Sequence, residues 1–235
     1  MKKTLLSICG AVVVCSLGFH AQANTILADS GTGPTIVGLA NSNTYGYDFT
    51  VGSTPLTITA LGFWDGPSDL LTPAIGDGFA NVHMIGLWDI SGNLLASATM
   101  QIGTVDPLLG EFRYSNLLIP TNPGPVILSA NTKYVLGAGF SASDPDPFKY
   151  DVGSFQPTYD PAVSPGKSRY IGSGTGFGFP TTSASPGAFV GPNAKFNVNN
   201  VPESGSALLL MVLAIAVVFV LRGCAAKRVT RWTKF

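Results

Sequence analysis

Between residues 24 and 204 the apolar positions recur at every second residue, not at every third or fourth. Tyr45, Tyr47, Phe49 and Val51 alternate with Gly46, Asp48 and Thr50, the period of a strand with one buried face. Leu56, Ile58 and Ala60 continue the period, which then slips so that Leu61 and Phe63 are the apolar positions. One extra residue at the slip predicts a β-bulge. "NVHMIGLWD", Asn81 to Asp89, is apolar on both faces and predicts a central strand. "DISGN" follows, then "LLASATMQI"; Asp89 at the first turn position and Gly92 three residues on predict a type I turn with a left-handed glycine, hence a hairpin. Further strands are predicted at Glu111 to Ser115, Val126 to Leu128 and Lys133 to Phe140, the last with Tyr134, Leu136, Ala138 and Phe140 on one face. "GPNAKFNV" (Gly191 to Val198) reads as a closing strand, and Gly153 to Gly187, rich in Gly, Pro and Ser, as a long irregular loop region. No helical period occurs before Ser204. The expected fold is all-β, a single β-sandwich ectodomain over 24–198.

The two ends have a different pattern. Met1-Lys2-Lys3, an apolar run from Leu5 to Phe19 and Ala21-Gln22-Ala23 follow the order of a secretory signal peptide, cut after Ala23 to leave Asn24 first. At the other end, Ala207 to Leu221 carries no charge; with its flanks it predicts a transmembrane helix over about 205–224. Pro202, Glu203 and Ser204 suit a helix start. Arg222, Lys227, Arg228, Arg231 and Lys234 follow it, and by the positive-inside rule this basic tail, running to 235, stays cytoplasmic. Everything before Val201 then faces outward, as the signal peptide also requires. The division expected is 1–23 signal peptide, 24–198 ectodomain and 199–235 C-terminal signal.

Val201-Pro202-Glu203-Ser204-Gly205, followed by a short apolar helix and a basic tail, resembles the PEP-CTERM class of bacterial sorting signals, closest to its VPDSG variant with Glu for Asp. The resemblance implies an exosortase substrate: the partners would be Sec export, signal peptidase and an exosortase-type membrane protease that cuts near the motif. The order "ITALGFWD … VHMIGLWDISGNLLASATM … FRYSNL … PVILSANTKYVLGA … GPNAKF" is similar to a jelly-roll-like ectodomain, of no established activity, in such proteins. The implied localisation is a precursor anchored in the inner membrane with its ectodomain in the periplasm, then the cell surface or extracellular matrix.

Composition narrows the chemistry. Cys9, Cys15 and Cys224 all lie in the end segments, so the ectodomain has neither disulfide nor thiol nucleophile. Residues 24–204 hold six of the 13 Lys/Arg and all 13 Asp/Glu, a balance of −7 that the whole-chain value of zero conceals. That acidity argues against nucleic acid and anionic lipid as partners. His83 is the ectodomain's one histidine: it reads as a hydrogen-bonded strand residue or as a general base or metal ligand, with no second histidine to complete a metal set. Asp144, Asp146 and Asp151 in "SASDPDPFKYD" read as Asp-Pro turns or as a calcium loop, without the EF-hand glycine and glutamate. Asp65 and Asp69 in "WDGPSD" have the same two readings. Trp64 and Trp88 read as core residues or as platforms for sugar rings. The expected function is that of a non-enzymatic structural or adhesive module with no cofactor. A polysaccharide-binding module, aided by calcium, is the alternative, and a hydrolase the third.

Overall fold

The computed structural model describes residues 25–26, 28, 35–36, 42–66, 75–119, 125–150, 157–172, 174–183 and 189–199. The signal peptide, the sorting motif, the C-terminal helix and Asp151 lie outside them. Among the described residues there is no helix, and so none long and apolar enough to cross a membrane.

The chain begins with β1 (Thr25–Ile26), β2 (Thr35–Ile36), β3 (Asn43–Val51), β4 (Leu56–Trp64) and β5 (His83–Asp89). It continues through β6 (Leu94–Met100), β7 (Leu108–Leu109), β8 (Phe112–Ser115), β9 (Val126–Leu128) and β10 (Lys133–Phe140). The last five are β11 (Phe148–Tyr150), β12 (Val163–Ile171), β13 (Thr182–Ser183), β14 (Phe189–Val190) and β15 (Pro192–Val198). One antiparallel sheet has the order β1-β15-β4-β8-β7, with β9 also pairing β4; the second has the order β13-β12-β3-β10-β5-β6. A small third sheet, β14-β11-β2, is also antiparallel.

The period-two apolar positions are what bring the two large sheets together. Tyr47, Phe49 and Val51 of β3, Ile85 and Leu87 of β5, and Leu136, Ala138 and Phe140 of β10 meet Leu56, Ile58, Leu61 and Phe63 of β4 and Phe196 of β15 in one hydrophobic core. Two antiparallel sheets sharing such a core are consistent with a β-sandwich. The phase slip in β4 is a bulge: Phe196 faces Ile58 but Lys195 faces Ala60, so Thr59 is the additional residue. Gly92 has φ 90°, and its amide donates to the Asp89 carbonyl at 3.1 Å, closing the β5–β6 hairpin.

One expectation is corrected. Within Gly153 to Gly187 the described residues form β12, nine residues long and paired with β3 along most of its length, and the short β13. Ser164, Pro165, Gly166 and Lys167 are exposed, so β12 has almost no apolar period to be read. It is a strand because its backbone completes the ladder of β3, with a bulge between Pro165 and Ser168.

The outer faces of the sheets hold the two described tryptophans. Gly46, Gly137 and Gly86 lie directly opposite one another on β3, β10 and β5. Trp88 lies over two of them: a Cβ on Gly86 would fall inside the Trp88 indole, and one on Gly137 would touch it at 3.3 Å. Phe177 and Phe179 pack on the same indole, centroids 5.5 and 6.1 Å away. Trp64 clusters with Phe112 and Tyr114 outside the other sheet, beneath the Lys149 ammonium at 4.6 Å. Both indoles are buried, at 1% and 3% exposure, though neither sits between the sheets.

Both chain directions converge on one end of the sandwich. Val198 of β15 faces Leu56, and Thr25 of β1 faces Phe196, so the chain enters and leaves at the Leu56 end. The opposite end is marked by Phe63 facing Pro192 and Trp64 facing Phe112.

Candidate functional site

Two buried ionic clusters occupy that opposite end, where strands give way to loops. In the first, β5 begins with His83, whose side chain points inward and is fully buried. Its ring stacks on Phe63 at 4.5 Å and meets Phe79 and Phe140 edge-on at 5.4 Å each. The loop after β10 brings in Asp144 and Asp146, both buried. Ser143 takes φ 56°, the left-handed conformation that turns this loop back toward the sheet. Nε2 of His83 lies 2.8 Å from Asp146 Oδ2 and 4.0 Å from Asp144 Oδ1, and Nδ1 lies 3.2 Å from the Gly139 carbonyl oxygen.

These three side chains are the one group among the described residues with the composition and spacing of a metal site. Their lone pairs, however, are already engaged. Asp146 Oδ1 accepts from the Ala80 amide at 2.8 Å, and Oδ2 accepts from the Asn81 amide at 2.8 Å as well as from His83. Asp144 Oδ1 accepts from Asn81 Nδ2 at 3.0 Å and the Asp146 amide at 3.1 Å; Oδ2 accepts from the Ser141 amide and hydroxyl, each at 3.0 Å. Both ring nitrogens of His83 face oxygen atoms, the Gly139 carbonyl on one side and the Asp146 carboxylate on the other. Six N–H and O–H donors besides the imidazole supply what a cation would otherwise supply. The cluster therefore closes as a hydrogen-bonded ionic network joining three chain segments (79–83, 139–141 and 144–146), with the imidazole shut off from solvent.

The second cluster is built on Arg113, buried on β8. Its Nε donates to Asp65 Oδ2, Nη1 to the carbonyls of Thr104 at 3.2 Å and Asp106 at 2.7 Å, and Nη2 to the carbonyl of Gly76 at 2.8 Å. Asp65 also accepts from the Gly78 amide at 3.1 Å. Burial pushes the Asp65 carboxyl above the usual carboxylate range, and the opposing hydrogen bond and charge of Arg113 only partly offset it. A single guanidinium thus ties the 75–78 and 104–106 loops to the end of β4.

A third ionic group lies on the outer face of β3. Asp48 accepts from Arg169 Nε at 2.7 Å and from the Lys167 amide at 3.0 Å, with Lys133 Nζ at 3.5 Å. The β12 bulge folds directly over it, since a Cβ at Gly166 would overlap the Asp48 carboxylate.

Several site residues read from the sequence are placed by these observations. His83 is a hydrogen-bonded strand residue, and its partners are the two aspartates of the "SDPDP" stretch. Asp144 does serve a turn, through the Ser141 amide, and Asp146 staples that turn to β5 and the residues before it. Asp65 belongs to the Arg113 cluster. Trp64 donates from Nε1 to Glu111 Oε2 at 3.3 Å beneath a lysine, and Trp88 lies under Phe177 and Phe179, so neither is an open sugar platform. Arg113 was not singled out from the sequence: "EFRYS" has no local pattern that marks its arginine. No protein-family model matches the chain, and no curated protein matches it at a significant level.

Proposed function

We propose that this chain is an exported, non-enzymatic β-sandwich with jelly-roll-like topology, held at or released from the cell envelope by an exosortase-type sorting signal at Val201-Pro202-Glu203-Ser204-Gly205 and used there as a structural or adhesive module. The observation that carries the reading is the register of β1 and β15: the chain enters and leaves the sandwich at the same end. A membrane helix after Val201 would hold the sandwich by its Leu56 end and leave the opposite end facing away from the bilayer. Only Asn200 separates Asn199, whose amide donates to the Pro55 carbonyl at 2.9 Å, from the motif, so the folded body would stand close to the membrane. The non-catalytic part of the reading is supported by the fate of the one ectodomain histidine, which is bonded on both nitrogens and closed to solvent.

Mass determination of the native C-terminus, in strains with and without the sorting protease, tests the proposal. A C-terminus within or just after 201–205 only in the presence of the protease is expected. Identical full-length mass in both strains removes the processing, and a reporter fused before Val201 that works solely in the cytosol removes the export.

A further inference from the structure

Part of the outer face of the second sheet is covered by the chain itself. Residues 174–180 follow β12 and lead into β13. They lie over β10 and β5: a Cβ on Gly139 would meet Phe177 at 3.1 Å, one on Gly137 would meet Pro180 at 3.4 Å, and the Phe177 and Phe179 rings rest on the Trp88 indole. Trp88 is therefore buried by this segment and takes no part in the core between the sheets.

Little holds the segment down. Among the described residues, three hydrogen bonds tie it to the sheet. The Gly174 amide donates to the Ser42 carbonyl at 2.9 Å, the Thr44 hydroxyl donates to the Gly176 carbonyl at 3.0 Å, and the Gly178 amide donates to Thr44 Oγ1 at 3.0 Å. One buried hydroxyl thus grips the residues on either side of Phe177. Gly174 and Gly176 have φ 85° and 68°, with nothing within 4 Å of where a Cβ would stand. Glycine loses more conformational freedom than any other residue when it is fixed, so this segment is costly to order. Phe177 and Phe179 are only half-buried, whereas β10 beneath them is bonded to β3 on one side and to β5 on the other. Segments with few bonded amides and little apolar burial open at a fraction of the free energy of global unfolding.

We infer that residues 174–180 are a strap that opens as one unit while the sheet beneath stays folded, with the Thr44 hydroxyl as its latch. Unit behaviour follows from where the bonds are made: Ser42 and Thr44 both stand at the start of β3, so the strap lifts from one line of the sheet. Closed, it seals Trp88 and the glycines under it; open, it presents them to solvent. Exposure of this aromatic face is then set by a local equilibrium of the strap.

The inference does not depend on export or sorting, and neither does its test. Hydrogen–deuterium exchange with residue-level fragmentation is measured on the full-length chain in non-ionic detergent. Wild type is compared with T44V, which removes the hydroxyl at nearly constant shape, and with T44S, which keeps it. In the wild type the Gly174 and Gly178 amides should be roughly a hundredfold less protected than those of Leu136 and Ala138 in β10. In T44V both should lose about a further tenfold, although the Gly174 bond goes to Ser42 and is untouched by the substitution. β10 should not change, and T44S should match the wild type. A loss at Gly178 alone would show separate local bonds and no unit. Strap protection equal to that of β10, or an equal loss in β10 of T44V, would mean that strap and sandwich open together. No change in T44V, or T44S as fast as T44V, would mean that the hydroxyl is no latch. Each of these results overturns the inference.

Discussion

Replacing Asp146 with asparagine tests the closed ionic network directly. The change is isosteric but converts one acceptor oxygen into an NH2 group. Asp146 receives three donors, from Ala80, Asn81 and His83, all at 2.8 Å and at a site 2% exposed. Whichever way the amide is turned, its NH2 faces at least one of those donors. The loss then has two parts: a buried N–H without a partner, about 1–3 kcal/mol, and the weakening of hydrogen bonds that went to a charged acceptor, about 1.5–3 kcal/mol. The two overlap, because the orphaned donor on one side is the imidazole itself, so the sum is an upper bound and about 3–5 kcal/mol is expected. For a domain of this size each kcal/mol moves the midpoint by roughly 2–4 °C, so Tm should fall by about 6–20 °C. The assay is thermal unfolding of the full-length chain followed by circular dichroism, with urea unfolding to verify that the m-value is unchanged. A drop below about 3 °C would mean that solvent reaches the site or that the three donors find other acceptors, and the reasoning would fail.

Three further outcomes follow from the same geometry. Because four donors meet Asp144 and two amides and the imidazole meet Asp146, EDTA, calcium and zinc should each leave Tm within about 1 °C of the untreated protein; a drop with chelator would make the cluster a metal centre. Asp89 is held below the usual carboxylate range, first by the Asn93 side chain and then by the Asn93 amide, so it adds stability above its unfolded pKa that is lost as the pH falls through the lowered folded value. The Tm gap between wild type and D89N should accordingly be widest near neutral pH and shrink toward pH 2, and a gap independent of pH would refute the assignment. Gly86→Val places a side chain where the Trp88 indole lies, so Trp88 must leave its glycine floor; a loss of about 1–3 kcal/mol with red-shifted tryptophan emission is expected, and unshifted emission at wild-type Tm would show that the floor is not tight.

The parts of the fold legible in the sequence are those where local pattern and tertiary packing agree. β3, β4, β9, β10 and β15 announce themselves because the face each turns to the core carries its large apolar side chains, while the other carries mostly glycine or polar residues, so the pleat is written as alternation. The Thr59 bulge is legible for the same reason: a bulge shifts the phase, and the phase is visible. β12 is not, because it joins through its backbone, and backbone hydrogen bonds leave no trace in side-chain polarity. The ionic clusters were hidden for another reason. His83 and Asp146 are 63 residues apart, Asp65 and Arg113 48, and nothing along the chain signals which loops fold against each other. Asp144 and Asp146 read as Asp-Pro turns or as a calcium loop with Asp151, which lies outside the described residues; that the first two meet His83 depends on where β10 ends relative to β5.

The aspartates also change what the acidic balance means. Counted along the sequence, a charge of −7 describes a surface. In the folded chain Asp48, Asp65, Asp89, Asp106, Asp144, Asp146 and Asp160 each accept a hydrogen bond from a backbone N–H, at 3.0, 3.1, 2.9, 2.7, 3.0, 2.8 and 2.8 Å. A carboxylate has room for several such donors, and loops, unlike strands, have amides with no ladder to join. In a domain without disulfides, an aspartate is the shortest side chain that can hold two or three amides of a turn at once. Five of the seven are themselves buried, so most of their charge faces amides, an imidazole or a guanidinium and little of it faces solvent. The acidity of residues 24–204 is therefore better read as the means by which the loops are fixed than as a guide to partners.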